Sequence, residues 1–164
     1  SGFKRKGVEE FLKIVSRLKN SDIKAFIIGK EKNIEYYQQL AIALKIDNQV
    51  IFTGAREDVD DFYTISDIFL FPTHYEPFSN VVLEAMNFKN VVFTTQQNGA
   101  SEILDGGFIM NNPQDFSVVQ KIDNLLLNKD RLKSIQDNNR EVSKKFSIEK
   151  NLSETLKVIN EVVN

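Results

Sequence analysis

The chain has no cysteine and no tryptophan, and among its 164 residues there are only three prolines, two methionines and one histidine. Without cysteine there are no disulfides and no thiolate chemistry, in keeping with a reducing compartment. One histidine and no clustered acidic motif leave no ligand set for a structural zinc site. Neither sign of charge is in excess: 21 basic against 23 acidic side chains give a net charge of −2 and a pI near 5.5, which argues against a general nucleic-acid binder. No apolar run approaches the ~20 residues of a membrane span, and the basic N-terminus lacks the apolar region of a signal peptide. The expected location is the cytoplasm. The Gly-x-Gly-x-x-Gly pattern of dinucleotide folds is also absent.

What is present is enough apolar material for one core, 41% of residues, with thirteen phenylalanines carrying the aromatic packing. Val8, Phe11, Leu12, Val15 and Leu18 recur at helical spacing and predict a helix over Val8–Lys19. Compact apolar runs at Lys24–Gly29, Gln49–Thr53, Asp67–Phe71 and Val91–Thr95 predict buried strands, with a weak one at Phe108–Met110 after a Gly106-Gly107 turn. Helical patterns at Ile34–Leu44, Asp58–Ser66 and Ser79–Phe88 alternate with them. Three helices close the chain: one marked by Phe116, Val119, Ile122, Leu125 and Leu126, one over Leu132–Phe146, and one marked by Ile148, Leu152, Leu156, Ile159 and Val162. Alternating helices and near-continuous apolar strands imply a single α/β domain, a Rossmann-like doubly wound parallel sheet. In that architecture a central first strand precedes the first helix. Here the chain opens in the loop before the helix, so the expectation is a fragment whose first strand, and a further domain, lie upstream.

Ligands of such sheets bind beyond the carboxyl ends of the strands, where strand order reverses. The loops expected to meet there are Ser1–Gly7, with Arg5 and Lys6, and Pro72–Asn80, which runs into a helix N-terminus capped by Ser79 or Asn80. Backbone N–H groups and two cations would form a diphosphate cradle. Glu76 and Glu84 flank that helix start. The neighbours Val81, Val82, Leu83 and Met86 suggest a buried Glu84, a placement costing several kcal/mol unless a donor such as a sugar or ribose hydroxyl satisfies it. Taken singly, such glutamates are more often solvated helix-end charges, and Arg5-Lys6 a solvated basic turn; their combination is what points to a site.

With these segments assembled, the chain resembles the C-terminal, donor-binding domain of retaining family-4 glycosyltransferases of GT-B architecture. The resemblance runs over nearly the whole length through Arg5-Lys6-Gly7-Val8, Phe26-Ile27-Ile28-Gly29, Val50-Ile51-Phe52-Thr53-Gly54, Asp67-Ile68-Phe69-Leu70-Phe71-Pro72, the glutamate pair and Asn98-Gly99-Ala100-Ser101-Glu102. Within the family it most resembles the lipopolysaccharide core glucosyltransferases, through Phe3–Val8 and Ala55-Arg56-Glu57-Asp58-Val59. The resemblance implies that Arg5 and Lys6 neutralise the diphosphate and Glu76 holds hydroxyls of the transferred sugar, making these the catalytic set. It implies that Pro77, Phe78, Ser79, Asn80 and Val81 contact sugar and phosphate, and that Glu84 binds the ribose. Arg56 matches a position near the base, and Asn98-Gly99 a loop near the sugar.

Two departures stand out. Ser79 replaces the usual glycine and would either narrow the sugar pocket or cap the helix; Lys89 and Val91 replace the usual glycine and proline before the next strand, away from the chemistry. His74, the lone histidine, is expected to pack in its loop. The implied reaction moves a hexose, glucose from UDP-glucose, to a glycan acceptor such as the lipopolysaccharide core, with retention. The acceptor is expected to sit on the absent N-terminal domain, and the full-length enzyme at the cytoplasmic face of the inner membrane. No cofactor or metal is implied, since Arg5, Lys6 and the helix N-terminus would stabilise the departing diphosphate, and Asp60-Asp61 is no metal-binding signature. The alternatives are a GT-B sugar-nucleotide epimerase, which would want acid–base residues not found here, and a non-catalytic binding module.

Overall fold

The structure, a computed structural model, describes residues 2–77 and 79–146. Phe78 and the expected terminal helix around Ile148–Val162 lie outside the described residues. The elements alternate as expected: α1 (Val8–Val15), β1 (Ala25–Ile28), α2 (Ile34–Ala43), β2 (Val50–Gly54), α3 (Val59–Ile65), β3 (Ile68–Phe71), α4 (Asn80–Asn87), β4 (Val91–Thr95), β5 (Ile109–Met110), α5 (Val118–Leu126) and α6 (Lys129–Ser143). Two boundaries moved. Helix α1 stops at Val15, short of the expected Lys19, because Arg17 and Leu18 tighten into turns onto the Ile14 and Val15 carbonyls. Helix α6 starts three residues early, since the Asn128 side chain caps it by accepting from Arg131 N–H.

All strand pairs are parallel, and they fall into two hydrogen-bonded pieces, β1–β2 and β3–β4–β5. Strand β4 is buried at every position. Its alternate residues feed two cores, as the two-residue period of a strand requires. Val91 and Phe93 face a cluster with Ile14, Met110, Val118, Ile122 and Leu125; Val92 faces Tyr63, Phe71, Val82, Ala85 and Met86 on the other side. This is the doubly wound arrangement. A third core joins α1, β1, α2 and β2 through Leu12, Val15, Ile27, Tyr37, Ala41 and Val50. Helix α1 therefore serves two cores, with Ile14 turned to one and Leu12 and Val15 to the other.

The opening loop is fastened to the ends of both strand pieces. Phe3 is buried, meets the Tyr37 ring edge-on at 5.4 Å and lies over Gly29, where a β-carbon would sit 3.2 Å from its ring. At the other side, Gly7 has φ +74 and backs onto Pro72 so closely that a β-carbon would stand 1.8 Å from the Pro72 carbonyl oxygen. The Arg5 carbonyl accepts from His74 N–H at 2.9 Å and from Thr73 Oγ1 at 3.0 Å. The departure at position 89 also has a structural cost: Lys89 follows α4 with φ 64, the left-handed conformation glycine favours, and its ammonium pairs with Asp137 of α6 at 2.7 Å.

Because Gly7 combines a left-handed φ with direct backbone contact, Gly7→Ala is expected to lower unfolding free energy by at least about 2 kcal/mol. Urea denaturation checks this; an unchanged midpoint would mean the two loops do not pack as described.

Candidate functional site

Three loops converge at the carboxyl ends of the strands. The first is the opening loop, the second follows β3, and the third follows β4. Glu76 joins all three. Its backbone N–H donates to the Gln97 carbonyl at 3.1 Å, and its carbonyl accepts from Gly99 N–H at 2.9 Å, a short parallel bridge to the Asn98 segment. Its carboxylate Oε2 accepts from Arg5 Nη1 at 2.7 Å, and the same nitrogen donates to the Tyr75 carbonyl at 2.8 Å. The pair is partly exposed, with 46% of the Arg5 side chain and 18% of the Glu76 side chain accessible. At such exposure an ion pair adds little to stability, so its effect is orientation. Arg5 commits only Nη1; its Nε and Nη2 have no hydrogen bond among the described residues, and neither does Glu76 Oε1. A guanidinium held in plane with free donors, beside a carboxylate oxygen with free lone pairs, can take phosphate oxygens and hydroxyls side by side.

Helix α4 enters this site with its first turn. Ser79 is its N-cap by position, buried, with φ −111 and ψ 103, but its side chain makes no capping hydrogen bond. Of the two readings of Ser79, capping is therefore not what the hydroxyl does. The expectation of a buried Glu84 is corrected. At 100° per residue the apolar face of α4 carries Val82, Ala85 and Met86, all buried, while Asn80, Glu84 and Asn87 share the opposite, exposed face. Glu84 is a solvated carboxylate, not one trapped among apolar side chains. It accepts a hydrogen bond from Tyr63 Oη at 3.3 Å.

Tyr63 is a residue the sequence reading missed. Burial, followed by the nearby Glu84 charge and the hydrogen bond to it, pushes its phenol well above the ordinary tyrosine value, so it stays a donor that holds Glu84 in place.

The remaining expected residues separate into two groups. Lys6 is exposed in the opening loop, its N–H bonded to the Gly2 carbonyl at 2.7 Å, and has no ion pair among the described residues. Pro77 and Asn80 are exposed and Val81 is half-buried at the α4 start; Phe78 lies outside the described residues. Asn98 is fully buried, and its side chain is consumed internally: Nδ2 donates to Thr94 Oγ1 at 3.0 Å, and Oδ1 accepts from Ala100 N–H at 3.1 Å. Its contribution is to shape the loop that pins Glu76. Arg56 is not drawn to the Arg5–Glu76 pair. It makes a two-point pair with Asp58 at 2.8 and 2.6 Å, with its guanidinium carbon 5.7 Å from the Phe62 ring centre.

Fold and site together define an open α/β domain with an oriented arginine–glutamate pair and an uncapped helix start beyond the strand ends. Residues 1–142 match the model of the family described as Glycosyl transferases group 1, and the chain belongs to that family. It is 31% identical over 155 residues to the capsular polysaccharide biosynthesis glycosyltransferase CapM of Staphylococcus aureus, covering 88% of this chain and 40% of that protein. It is 31% identical over 98 residues to the lipopolysaccharide glucosyltransferase WaaG of Escherichia coli, covering 58% of this chain and 26% of that one. Among solved structures, Anabaena HepE in complex with UDP-glucose superposes with a TM-score of 0.83 at 19% identity, over 94% of this chain and 46% of that one, a likeness of fold. The chain spans less than half the length of each of these relatives.

The raised phenol of Tyr63 fixes a sign for alkaline stability. A group protonated more tightly when folded stabilises fully below its unfolded value near 10 and loses that contribution as pH rises above it. Tyr63→Phe is therefore expected to flatten the fall in stability above about pH 10, followed by urea midpoints across the alkaline range. An identical fall in both proteins would refute the assignment.

Proposed function

We propose that this chain is the donor-binding part of a retaining hexosyltransferase that takes a nucleoside diphosphate sugar, UDP-glucose in the first instance. The observation that carries the reading is the convergence on Glu76 of three separate loops, with Arg5 aimed by its carboxylate and left with unused donors. In this reading Arg5 and Lys6 meet the diphosphate, joined by backbone N–H groups of the first turn of α4, which the Ser79 hydroxyl does not occupy. Glu76 Oε1 accepts from hydroxyls of the sugar. Glu84, steadied by Tyr63, accepts from the ribose across the exposed face of α4. Support for a UDP-sugar as donor comes from HepE, a relative in fold whose structure holds UDP-glucose.

The chemical problem is departure of a diphosphate carrying negative charge. Preorganised cations and amide dipoles stabilise that charge where it develops. The guanidinium of Arg5 suits this because the Glu76 contact fixes its plane before the ligand arrives. The acceptor falls to a part of the enzyme outside this chain. A glycan acceptor such as the lipopolysaccharide core is favoured by the Phe3–Val8 and Ala55–Val59 segments and by the likeness to WaaG. Among the described residues β1–β2 and β3–β4–β5 are not hydrogen-bonded to each other, and a further strand of the same enzyme would join them. With transfer divided between two parts, the chain alone binds donor and turns over almost none. The full-length enzyme works from the cytoplasm, and among the described residues no helix is long and apolar enough to cross a membrane.

Isothermal titration with UDP and UDP-glucose tests this directly. Binding is expected for both, and Glu84→Gln should weaken each about tenfold, the worth of a hydrogen bond to a charged group. Absence of heat at millimolar ligand, from a folded sample, would sink the donor reading.

A further inference from the structure

No role assigned above uses the side chain of Tyr75, which stands directly before Glu76 in the β3–α4 loop. Its backbone is held on both sides. The Tyr75 carbonyl accepts from Arg5 Nη1 at 2.8 Å and from Thr73 Oγ1 at 3.3 Å, and the next residue is bridged to Asn98. Its ring is left out: Tyr75 is 62% accessible, with no hydrogen bond to its hydroxyl and no aromatic partner among the described residues. The other large apolar side chains that stand exposed there are Tyr36 and Ile42 of α2, Ile51 of β2, Ile65 of α3, and Leu127 at the end of α5. Tyr75 is thus the one placed in a loop beyond the carboxyl ends of the strands.

A fixed backbone that presents an aromatic ring to solvent beside a sugar site suits a second sugar. The C–H groups on one face of a pyranose carry slight positive charge, and the face of a phenol ring is negative. Stacking the two also removes apolar area of both from water. The transferred hexose is not the sugar within reach. It rests on Glu76, whose side chain is only 18% accessible, and successive side chains of extended backbone, as at the Glu76–Asn98 bridge, leave on opposite sides. The Tyr75 ring therefore stands at the lip of that pocket. The side is set by Arg5, since the guanidinium assigned to the diphosphate donates to the Tyr75 carbonyl. Retention at the anomeric carbon puts the new bond on the face from which the diphosphate departs, so the acceptor arrives where Tyr75 stands.

We propose that the Tyr75 ring is a stacking platform for a sugar ring of the acceptor, the contact that this chain adds to an acceptor held otherwise by the rest of the enzyme. The acceptor is then a glycan whose sugar at or next to the reacting hydroxyl has an open apolar face. This contact rests on the donor reading above, which supplies the diphosphate side and the occupied hexose pocket.

The probe is methyl α-glucopyranoside, a single pyranose with a blocked anomeric carbon. The chain has four tyrosines, and the ring proton resonances lost in Tyr75→Phe are those of Tyr75. With the 164-residue chain saturated by UDP-glucose, titration with the glucoside is expected to move those resonances. Affinities of the variants follow from saturation transfer to the glucoside methyl signal, which UDP-glucose lacks. At the same saturation Tyr75→Ala should bind the glucoside about 3- to 10-fold more weakly, the loss of one stacking contact, while Tyr75→Phe and Tyr75→Trp stay within about twofold of wild type. A glucoside that leaves Tyr75 unmoved, or that binds Tyr75→Ala as it binds wild type, overturns the proposal. So does a shift seen in the free chain and abolished by UDP-glucose, which makes the ring a wall of the donor pocket. UDP-glucose that binds while the glucoside does nothing removes this contact and leaves the donor reading standing. No heat from UDP-glucose in a folded sample removes the donor reading and the acceptor assignment with it.

Discussion

The carbonyl oxygen of Pro72 fills the space in which any residue but glycine at position 7 would carry its β-carbon. On that contact the rest of the site depends. It lets the opening loop lie flat against the β3–α4 loop, so that the Arg5 carbonyl can accept from both Thr73 and His74. The guanidinium of Arg5 then reaches Glu76, which is more than seventy residues away in sequence. Gly7, with its left-handed φ, also opens α1, whose Glu10 Oε1 lies 3.3 Å from His74 Nε2. One missing methyl group thus sets the position of Arg5 relative to Glu76.

Those charges are arranged for orientation more than for stability. The Arg5–Glu76 pair is too exposed to add much to folding, but it stops a long flexible side chain from sampling other rotamers. Tyr63 does the same for Glu84, with its own phenol kept neutral by burial. Asn98 acts one layer further out, by spending its whole side chain on Thr94 and Ala100 so that the backbone beside it can grip Glu76. Groups that bind ligand are left with open valences, and groups that hold them in place are used up.

Much of this was legible in the sequence, and what was not has physical causes. Strands of near-continuous Ile, Phe and Val are visible because burial on both faces leaves no polar position, as in Val91–Thr95. The meeting of the opening loop with the β3–α4 loop followed from parallel topology alone. Glu84 was misjudged because neighbours in sequence are not neighbours around a helix: Val82 and Leu83 directly precede it in the chain, yet Val82 is turned about 200° away from it. Tyr63 and Glu10 escaped notice because each lies against a partner in a different element, twenty-one positions from Glu84 in the first case and in the loop after β3 in the second. Arg56 shows the opposite limit, since a motif position says nothing of a local acid such as Asp58 competing for the same guanidinium.

The division of the strands into two hydrogen-bonded pieces gives the domain a mechanical character of its own. The piece formed by β1 and β2 has its core with α1 and α2; the piece formed by β3, β4 and β5 has two others. Among the described residues no backbone ladder joins them, so within this chain cooperativity passes through side chains, chiefly those on α1, and through the opening loop. Segments joined in that way open with separate free energies. Amide protons of Phe26 and Ile27 can thus exchange with solvent on a different timescale from those of Val92 and Phe93, and the grip of the opening loop decides how far the two clocks drift apart.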